Sequence, residues 1–241
     1  MIVRLDDPIL FSKAIDVISE LVTEVKIKFN EHGMNITAID PANVAMVRFK
    51  IPKSSFSKFE AENDVLGINL DNLKKVLRRA GSSTPLTLEK KENLLEIQIQ
   101  GKIKRNFTMT LLDLDSQDKE MPALEYSSKV EISSEDLNSA IEDSSVVSDS
   151  CAFIVKDNFF IVESRGLDSA RAEFSTDEVK IEGEDCKSKY SIEYLQKFMK
   201  AAKMTDKLIL NFASDHPLKM DIKTEVLEMN FLLAPRVETD D

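Results

Sequence analysis

The amino-acid sequence predicts an α+β protein that contains two copies of one domain. Residues 68–88 align without a gap with residues 190–210. Residues 25–36 align with residues 151–162, in the same order along the chain and at nearly the same separation. Two matches of this kind indicate duplication rather than a chance likeness between amphipathic helices, because a fixed spacing is the signature of a repeat.

Four helices are predicted, and each begins at an Asp or a Ser, residue types that favour a helix N-cap. Pro8 fits the first turn of the first helix, since its fixed backbone angle suits that position and its missing N–H is not needed there. The predicted helices cover residues 7–22, 71–80, 134–147 and 191–203.

The segments between the helices are predicted strands, because polar and apolar residues alternate or β-branched residues cluster in them. Turn-forming residues at 31–33, 80–83 and 156–158 separate them. Sets of strands interrupted by helices are typical of antiparallel sheets that carry helices on one face. The predicted strands cover residues 25–29, 43–51, 94–100, 106–114, 152–157, 170–175, 207–212 and 218–223.

The predicted domain boundaries follow the repeat. An N-terminal domain covers residues 1–115, a connector covers residues 116–128, and a C-terminal domain covers residues 129–241. The connector is polar, contains Pro122 and lacks periodicity, so we expect an exposed segment. It is either an ordinary crossover loop or a docking strand, and its composition does not separate the two.

The composition predicts a globular protein with a substantial core. Of the 241 residues, 42% are hydrophobic. No apolar run approaches the ~20 residues of a membrane span, and Asp6 and Asp7 follow the start too soon for a secretory signal. Cys151 and Cys186 lack a CxxC spacing. We expect them to be reduced structural thiols, with a disulfide as the alternative.

The predicted second and fourth helices carry the informative positive charge. Lys75 and Arg78 lie opposite the apolar face of the second helix, and Lys197 and Lys200 lie opposite that of the fourth. The formal net charge is −11, so this repeated pair of cations favours a shared anionic partner over a merely solvated face. No recognition-helix pattern accompanies the cations, and contacts with phosphate groups rather than bases are expected.

The sequence contains no motif of a nucleotide-binding, serine-hydrolase or zinc-protease site. His32 and His216 lie in predicted turns without neighbouring Cys or His, so neither is expected to bind a metal or act as a base. Asp113 and Asp115 offer two carboxylates, but a pair at the end of a strand is more typical of solvated acids than of a cation site. We predict no catalytic residue, no metal site and no cofactor.

Five segments together resemble the proliferating cell nuclear antigen family of DNA sliding clamps, the archaeal members in particular. They are AIDPANVAMV at 38–47, LDNLKKVLRRAG at 70–81, LLDLD at 111–115, MP at 121–122 and FLLAPRVE at 231–238. The resemblance extends from end to end. It implies a ring of three subunits, in which duplicated clamp domains encircle double-stranded DNA, helices line the channel and antiparallel sheets lie outside.

The family resemblance also implies a processivity factor without enzymatic activity. Such a protein tethers DNA polymerase, flap endonuclease, DNA ligase and the clamp loader to DNA. It would act in the cytoplasm on the nucleoid of an archaeal cell, or in the nucleus of a eukaryotic one.

Three sets of functional residues follow from the resemblance. Cations of the inner helices would contact DNA: Lys13, Lys74, Lys75, Arg78, Arg79, Lys197, Lys200 and Lys203. An apolar front-face pocket would receive a partner peptide with apolar and paired aromatic anchors: Ile39, Val44, Met46, Met121, Pro122, Pro217, Leu232, Leu233, Ala234 and Pro235. Edge strands at 106–114 and 169–176 would close the ring through Met109, Leu111, Ala172 and Phe174.

Two features depart from the family pattern. The third predicted helix has no basic residue and carries Glu142 where a base is often found, so its contact with DNA is not predicted. In the connector, Lys119 and Glu120 precede Met121 where an apolar residue is common. This predicts a thinner pocket wall or a different partner peptide.

The sequence leaves two alternatives to a homotrimer open. One is a subunit of a heterotrimeric clamp, because an edge strand encodes complementarity only with its partner. The other is a metal-dependent enzyme that uses Asp113 and Asp115.

Overall fold

The order of helices and strands repeats once along the chain. The computed structural model describes residues 1–115 and 119–237, so the predicted connector residues 116–118 and the acidic end at 238–241 lie outside the described residues. Each half consists of one strand, a helix, five strands, a second helix and three strands. The predicted α+β class with a duplicated domain is confirmed.

The bounds of the elements are as follows. The first half contains β1 Ile2–Leu5, α1 Ile9–Ile18, β2 Glu24–Asn30, β3 Gly33–Ile39, β4 Ala45–Pro52, β5 Lys58–Glu60, β6 Val65–Asn69, α2 Leu70–Leu77, β7 Leu86–Lys91, β8 Leu94–Gln100 and β9 Lys104–Thr110. The second half contains β10 Ser128–Ser133, α3 Ser134–Ser145, β11 Ser150–Lys156, β12 Phe159–Arg165, β13 Ser169–Phe174, β14 Lys180–Gly183, β15 Cys186–Ser191, α4 Ile192–Ala202, β16 Lys207–Phe212, β17 Leu218–Lys223 and β18 Glu228–Leu233.

The strands form antiparallel sheets in two units. The first unit comprises residues 1–41, 47–120 and 225–229, and the second comprises residues 42–46, 121–224 and 230–241. In the first unit the strand orders are β5-β1-β7-β8-β9 and β6-β2-β3-β4, although the first two residues of β4, Ala45 and Met46, belong to the second unit. In the second unit they are β13-β12-β11-β15 and β14-β10-β16-β17-β18.

Alternation of side chains explains why the strands have one buried face. In β2, Val25, Ile27 and Phe29 are buried while the residues between them are partly exposed. Successive side chains of a strand point to opposite faces, so this pattern places one face in the core. In the second unit, buried faces of this kind carry packed aromatic rings. Phe153 contacts Phe160 edge-on there, with the ring centroids 5.5 Å apart.

The helices bury one apolar stripe each. In α4, Ile192, Leu195, Phe198 and Met199 are buried, at the spacing of one helix face. The Phe198 ring stacks on Phe231 of β18, with centroids 4.4 Å apart. Within the first unit α1 packs beside α2, and within the second unit α3 packs beside α4. In the described part of the chain no helix is long and apolar enough to cross a membrane.

The helix ends differ from the prediction by a few residues. α1 ends at Ile18 rather than Val22, since the next turn tightens into hydrogen bonds between residues three apart. α2 begins earlier than predicted. The side chain of Asn69, and not that of Asp71, accepts a hydrogen bond from the Asn72 amide at 3.0 Å.

The predicted strand at 106–114 is shorter in the structure. β9 ends at Thr110, and beyond it the Leu112 amide donates to the Gly67 carbonyl of β6 at 2.8 Å. Only glycine allows this approach, because a Cβ on Gly67 would lie 2.1 Å from the Leu112 carbonyl oxygen. The chain therefore leaves the sheet edge before Leu114, and Leu111 lies outside the strand.

The two cysteines do not form a disulfide. Both are buried and free, and they lie on the paired strands β11 and β15. Cys151 is opposite Tyr190 and Cys186 is opposite Val155. At ~3.3 Å per residue along a strand, the two thiols are about 13 Å apart, too far for a covalent bond. Burial raises the pKa of the Cys151 thiol to about 12.

Candidate DNA-contacting and partner-binding surfaces

The exposed side of α2 is cationic. Lys75, Arg78 and Arg79 are exposed to solvent, while the three leucines of the helix are buried. Lys13, on the neighbouring α1, is exposed as well. The first unit therefore presents several of the predicted DNA-contacting cations on one pair of helices.

Neighbouring side chains already hold two cations of this helix pair. Arg78 donates to Asp16 Oδ1 at 3.4 Å. Lys74, whose side chain is only 22% exposed, donates to the serine hydroxyl at the end of α1 at 2.9 Å. Lys75 and Arg79 have no such partner among the described residues. A phosphate can reach them directly, whereas it must compete with Asp16 for Arg78.

The exposed side of α4 differs from that of α2 in one respect. Lys197 is only 24% exposed, because its ammonium group pairs with Glu193 at 2.8 Å and lies 4.9 Å from the centre of the Tyr194 ring. Lys200 and Lys203 are exposed. The helical wheel placed Lys197 on the solvent side, but the structure shows it lying along the helix surface.

The exposed side of α3 is acidic. Glu135, Asp136, Glu142 and Asp143 are exposed, and the helix contains no basic residue. The Asn138 amide donates to Glu142 Oε1 at 2.7 Å. This helix offers no cation to a phosphate group.

The predicted pocket residues divide by burial into core and surface. Met46 and Leu233 are 6% and 0% exposed, so they belong to the core. The others are half-buried or exposed: Ile39, Val44, Met121, Pro122, Pro217, Leu232, Ala234 and Pro235. Ile39 belongs to the first unit and the rest of that list to the second.

Within the second unit, hydrogen bonds hold the residues that follow β18. The Ala234 amide donates to the Val44 carbonyl at 2.9 Å, which places them beside the start of β4. The Arg236 amide donates to the Lys189 carbonyl at 2.7 Å, and its guanidinium pairs with Asp149 at 2.8 Å. That contact lowers the pKa of the Asp149 carboxyl. The turn between these anchor points is therefore held on both sides.

Tyr126 and His216 were not predicted as pocket residues, but both are close along the chain to residues that were. The Tyr126 ring packs edge-on against the His216 ring, with centroids 5.6 Å apart and planes at 80°. His216 precedes Pro217, and its carbonyl accepts hydrogen bonds from the Tyr190 hydroxyl at 2.8 Å and the Ser188 hydroxyl at 3.1 Å. The signal in the sequence was a lone aromatic residue in an otherwise irregular connector.

The strands predicted to join subunits both lie at sheet edges. β9 is an edge strand in the first unit, and β13 is an edge strand in the second. Met109, Leu111, Ala172 and Phe174 are half-buried, and Phe174 also stacks on Phe160 with centroids 6.0 Å apart. An edge strand presents a row of amide and carbonyl groups to which a further strand can bind.

The carboxylates considered for a metal site are solvent-facing. Asp113 and Asp115 are exposed. Across residues 1–115 and 119–237, no group of three His, Cys, Asp or Glu side chains could hold a metal ion.

This chain is similar to known proteins in both sequence and fold. Residues 1–121 match the family model described as proliferating cell nuclear antigen, N-terminal domain. The chain is 36% identical to the DNA polymerase sliding clamp of Pyrococcus furiosus, and 38% identical to DNA polymerase sliding clamp 1 of Thermococcus kodakarensis. Each alignment covers 95% of both chains.

The structural comparison agrees with the sequence comparison. A crystal structure of PCNA from Thermococcus kodakaraensis matches this chain with a TM-score of 0.91 and 27% sequence identity. The match covers 98% of this chain and 99% of that chain. This chain therefore belongs to the proliferating cell nuclear antigen family of DNA polymerase sliding clamps, which are processivity factors of DNA replication and not enzymes.

Proposed function

We propose that three copies of this chain form a closed ring around double-stranded DNA. The edge strands β9 and β13 carry this proposal. By their place in the repeated order, β9 is the counterpart of β18 and β13 is the counterpart of β4. In the second unit the end of β18 lies beside the start of β4, where the Ala234 amide donates to the Val44 carbonyl. A second copy can join β9 to β13 by the same kind of pairing.

Charge on the helices supports pairing between identical chains. α3 packs against β13, and α4 packs on β18 through Phe198 and Phe231. By the repeat, α2 holds the equivalent place near β9. Joining β9 to β13 of a second copy would then bring the cations of α2 near the carboxylates Glu142 and Asp143 of α3. Opposite charges attract across such a joint, and both charged surfaces are present in one chain.

The ring would hold DNA by enclosure rather than by tight binding. The eight cations predicted for the channel would make diffuse contacts with phosphate groups, and the contacts would be independent of base sequence. Lys75 and Arg79 support this proposal best, because they are exposed and have no partner among the described residues. The whole chain has a net charge of −11, and the acidic surface outside the helices disfavours binding of DNA elsewhere.

The residues around the end of β18 would bind partner peptides. Leu232, in β18, and Pro235 are half-buried, and the hydrogen bonds of Ala234 and Arg236 hold the segment that contains Pro235. A rigid turn lowers the entropy cost of binding, since little has to be ordered when the peptide arrives. We expect DNA polymerase, flap endonuclease, DNA ligase and the clamp loader to use this surface, in the cytoplasm and on the nucleoid.

The experiment that tests the ring is the mass of the purified chain in solution. Light scattering across a dilution series should give three times the 27.2 kDa mass of one chain, and the value should hold on dilution. Ala172→Arg, in β13, should reduce the mass to that of a monomer. Ala213→Arg changes a half-buried alanine in the turn after β16 and should keep the mass. A monomer or dimer of the unaltered chain would contradict the homotrimer and point to a heterotrimeric ring.

A further inference from the structure

We propose that Tyr126 and His216 select partner peptides in which an aromatic anchor carries a hydroxyl group. The inference rests on the proposed peptide surface and refines it. Tyr126 Oη and His216 Nε2 are both shielded from solvent, and neither has a hydrogen-bond partner among residues 1–115 and 119–237. Buried polar atoms without partners are rare because they destabilise the folded chain.

These two side chains are close along the chain to residues proposed to bind the peptide. His216 directly precedes Pro217, and Tyr126 follows Pro122 by four residues in the irregular segment before β10. The two rings pack edge-on with centroids 5.6 Å apart. One aromatic and one imidazole side chain thus place a polar pair within an otherwise apolar set of residues.

The backbone on both sides holds this pair in place. The His216 carbonyl accepts the Tyr190 hydroxyl at 2.8 Å, which fixes the turn before β17. The Glu184 amide donates to the Ser127 carbonyl at 3.1 Å, which fixes the residue after Tyr126. These contacts fix the backbone from which the two rings project.

The charge of Asp221 acts on Tyr126, but the Asp221 carboxylate does not accept a hydrogen bond from the Tyr126 hydroxyl. Its oxygens already accept hydrogen bonds from Asn211 at 3.2 Å, Lys219 at 2.9 Å and Asn230 at 2.6 Å. Burial, with a smaller contribution from the Asp221 charge, raises the pKa of Tyr126 to about 12. The Tyr126 hydroxyl therefore keeps its proton at neutral pH and remains a donor.

A hydroxyl group complements this pair because it both donates and accepts. It can accept a hydrogen bond from the Tyr126 hydroxyl and pair with His216 Nε2 at the same time. A phenyl ring in the same place would leave both atoms unpaired. An inserted anchor would reach the pair by displacing connector residues 119–125, which form no helix or strand. A site of this kind rejects the analogue that lacks the hydroxyl.

The test compares peptides that differ by one oxygen atom. Three labelled peptides carry the paired aromatic anchors Phe-Phe, Tyr-Phe or Phe-Tyr in the same flanking sequence. Fluorescence anisotropy with the full chain should show one tyrosine peptide binding about tenfold more tightly than the Phe-Phe peptide. Equal affinities of all three peptides would overturn the inference and leave the peptide surface standing. Binding of none of them would instead overturn the proposed surface itself.

Two variants assign the preference to these residues. Tyr126→Phe removes the hydroxyl and His216→Phe removes both ring nitrogens, while each keeps a ring, so each should bring the tyrosine preference close to one. Tyr194→Phe, on α4, removes a hydroxyl elsewhere in the second unit and should leave the preference unchanged. A preference that persists in both variants would contradict the assignment.

Thermal unfolding provides a second readout that does not depend on a peptide. Tyr126→Phe removes an unpaired buried hydroxyl, so its Tm should equal or exceed that of the unaltered chain. A clearly lower Tm would show that the hydroxyl has a partner in the free protein, and would also overturn the inference.

Discussion

Two adjacent leucines of β18 show how position decides the role of a residue. Leu233 is fully buried in the core, whereas Leu232 is half-buried and faces the proposed peptide surface. The family resemblance placed both in the pocket, and a strand of apolar residues does not by itself reveal which face is covered. Successive residues of a strand point to opposite faces, and the structure supplies the missing assignment.

The two leucines should therefore respond differently to truncation. Leu233→Ala should lower the free energy of unfolding by about 2–5 kcal/mol through the cavity it leaves. Leu232→Ala should change stability less and weaken peptide binding by about 2 kcal/mol, the typical cost of losing a buried anchor. Chemical denaturation and calorimetry with a partner peptide measure the two effects. If Leu232→Ala left peptide affinity unchanged, β18 would have to be removed from the proposed surface.

The helices α2 and α4 show the limits of the repeat at the scale of single elements. They share their apolar stripe, and Lys75 aligns with Lys197. Lys75 is exposed and has no partner among the described residues, but Lys197 is paired with Glu193. Equivalent lysines therefore differ in their availability to phosphate.

Substitutions on these helices should have unequal effects on DNA binding. Lys75→Ala should weaken binding at all DNA sequences and reduce the salt dependence by about one phosphate contact. Lys197→Ala should have a smaller effect, and Glu193→Gln should strengthen binding by releasing Lys197. Salt titrations with labelled duplex DNA measure these changes. Lys156→Ala, which changes an exposed lysine at the end of β11, is the matched control and should have no effect. Equal losses for Lys75→Ala and Lys197→Ala would show that the Glu193 contact does not limit Lys197.

At the scale of the whole molecule, the proposed ring separates retention on DNA from affinity. A closed ring stays on DNA because the double helix passes through it. A few diffuse contacts with phosphate groups are then enough to position the ring, and they permit sliding. The chain contains no nucleotide-binding loop, and we expect a separate loading protein to open the ring.

Retention should therefore depend on the ends of the DNA. After loading on closed circular DNA, the protein should remain bound through gel filtration and dissociate once the circle is cut to a linear form. A circle with a nick in one strand has no double-stranded end and should retain the protein. Equal retention on linear DNA with open ends would contradict enclosure.

The sequence alone determined the duplication, the four helices and eight of the eighteen strands in the described residues. These features depend on periodicity and on turn-forming residues, which are local properties of the chain. The cationic pair of α2 was predicted for the same reason. So was the alignment of the apolar residues of α2 with those of α4 in the repeat. The predicted site residues on the inner helices came from the family resemblance together with this pattern.

Only the tertiary structure decided the features that depend on contact between distant segments. β9 ends at Thr110 because the Leu112 amide, just beyond it, donates a hydrogen bond to the Gly67 carbonyl of β6. The distance between the cysteines depends on which strands pair, and the unpaired atoms of Tyr126 and His216 depend on two segments meeting. Such contacts are set by packing between elements far apart in sequence, and no local pattern encodes them.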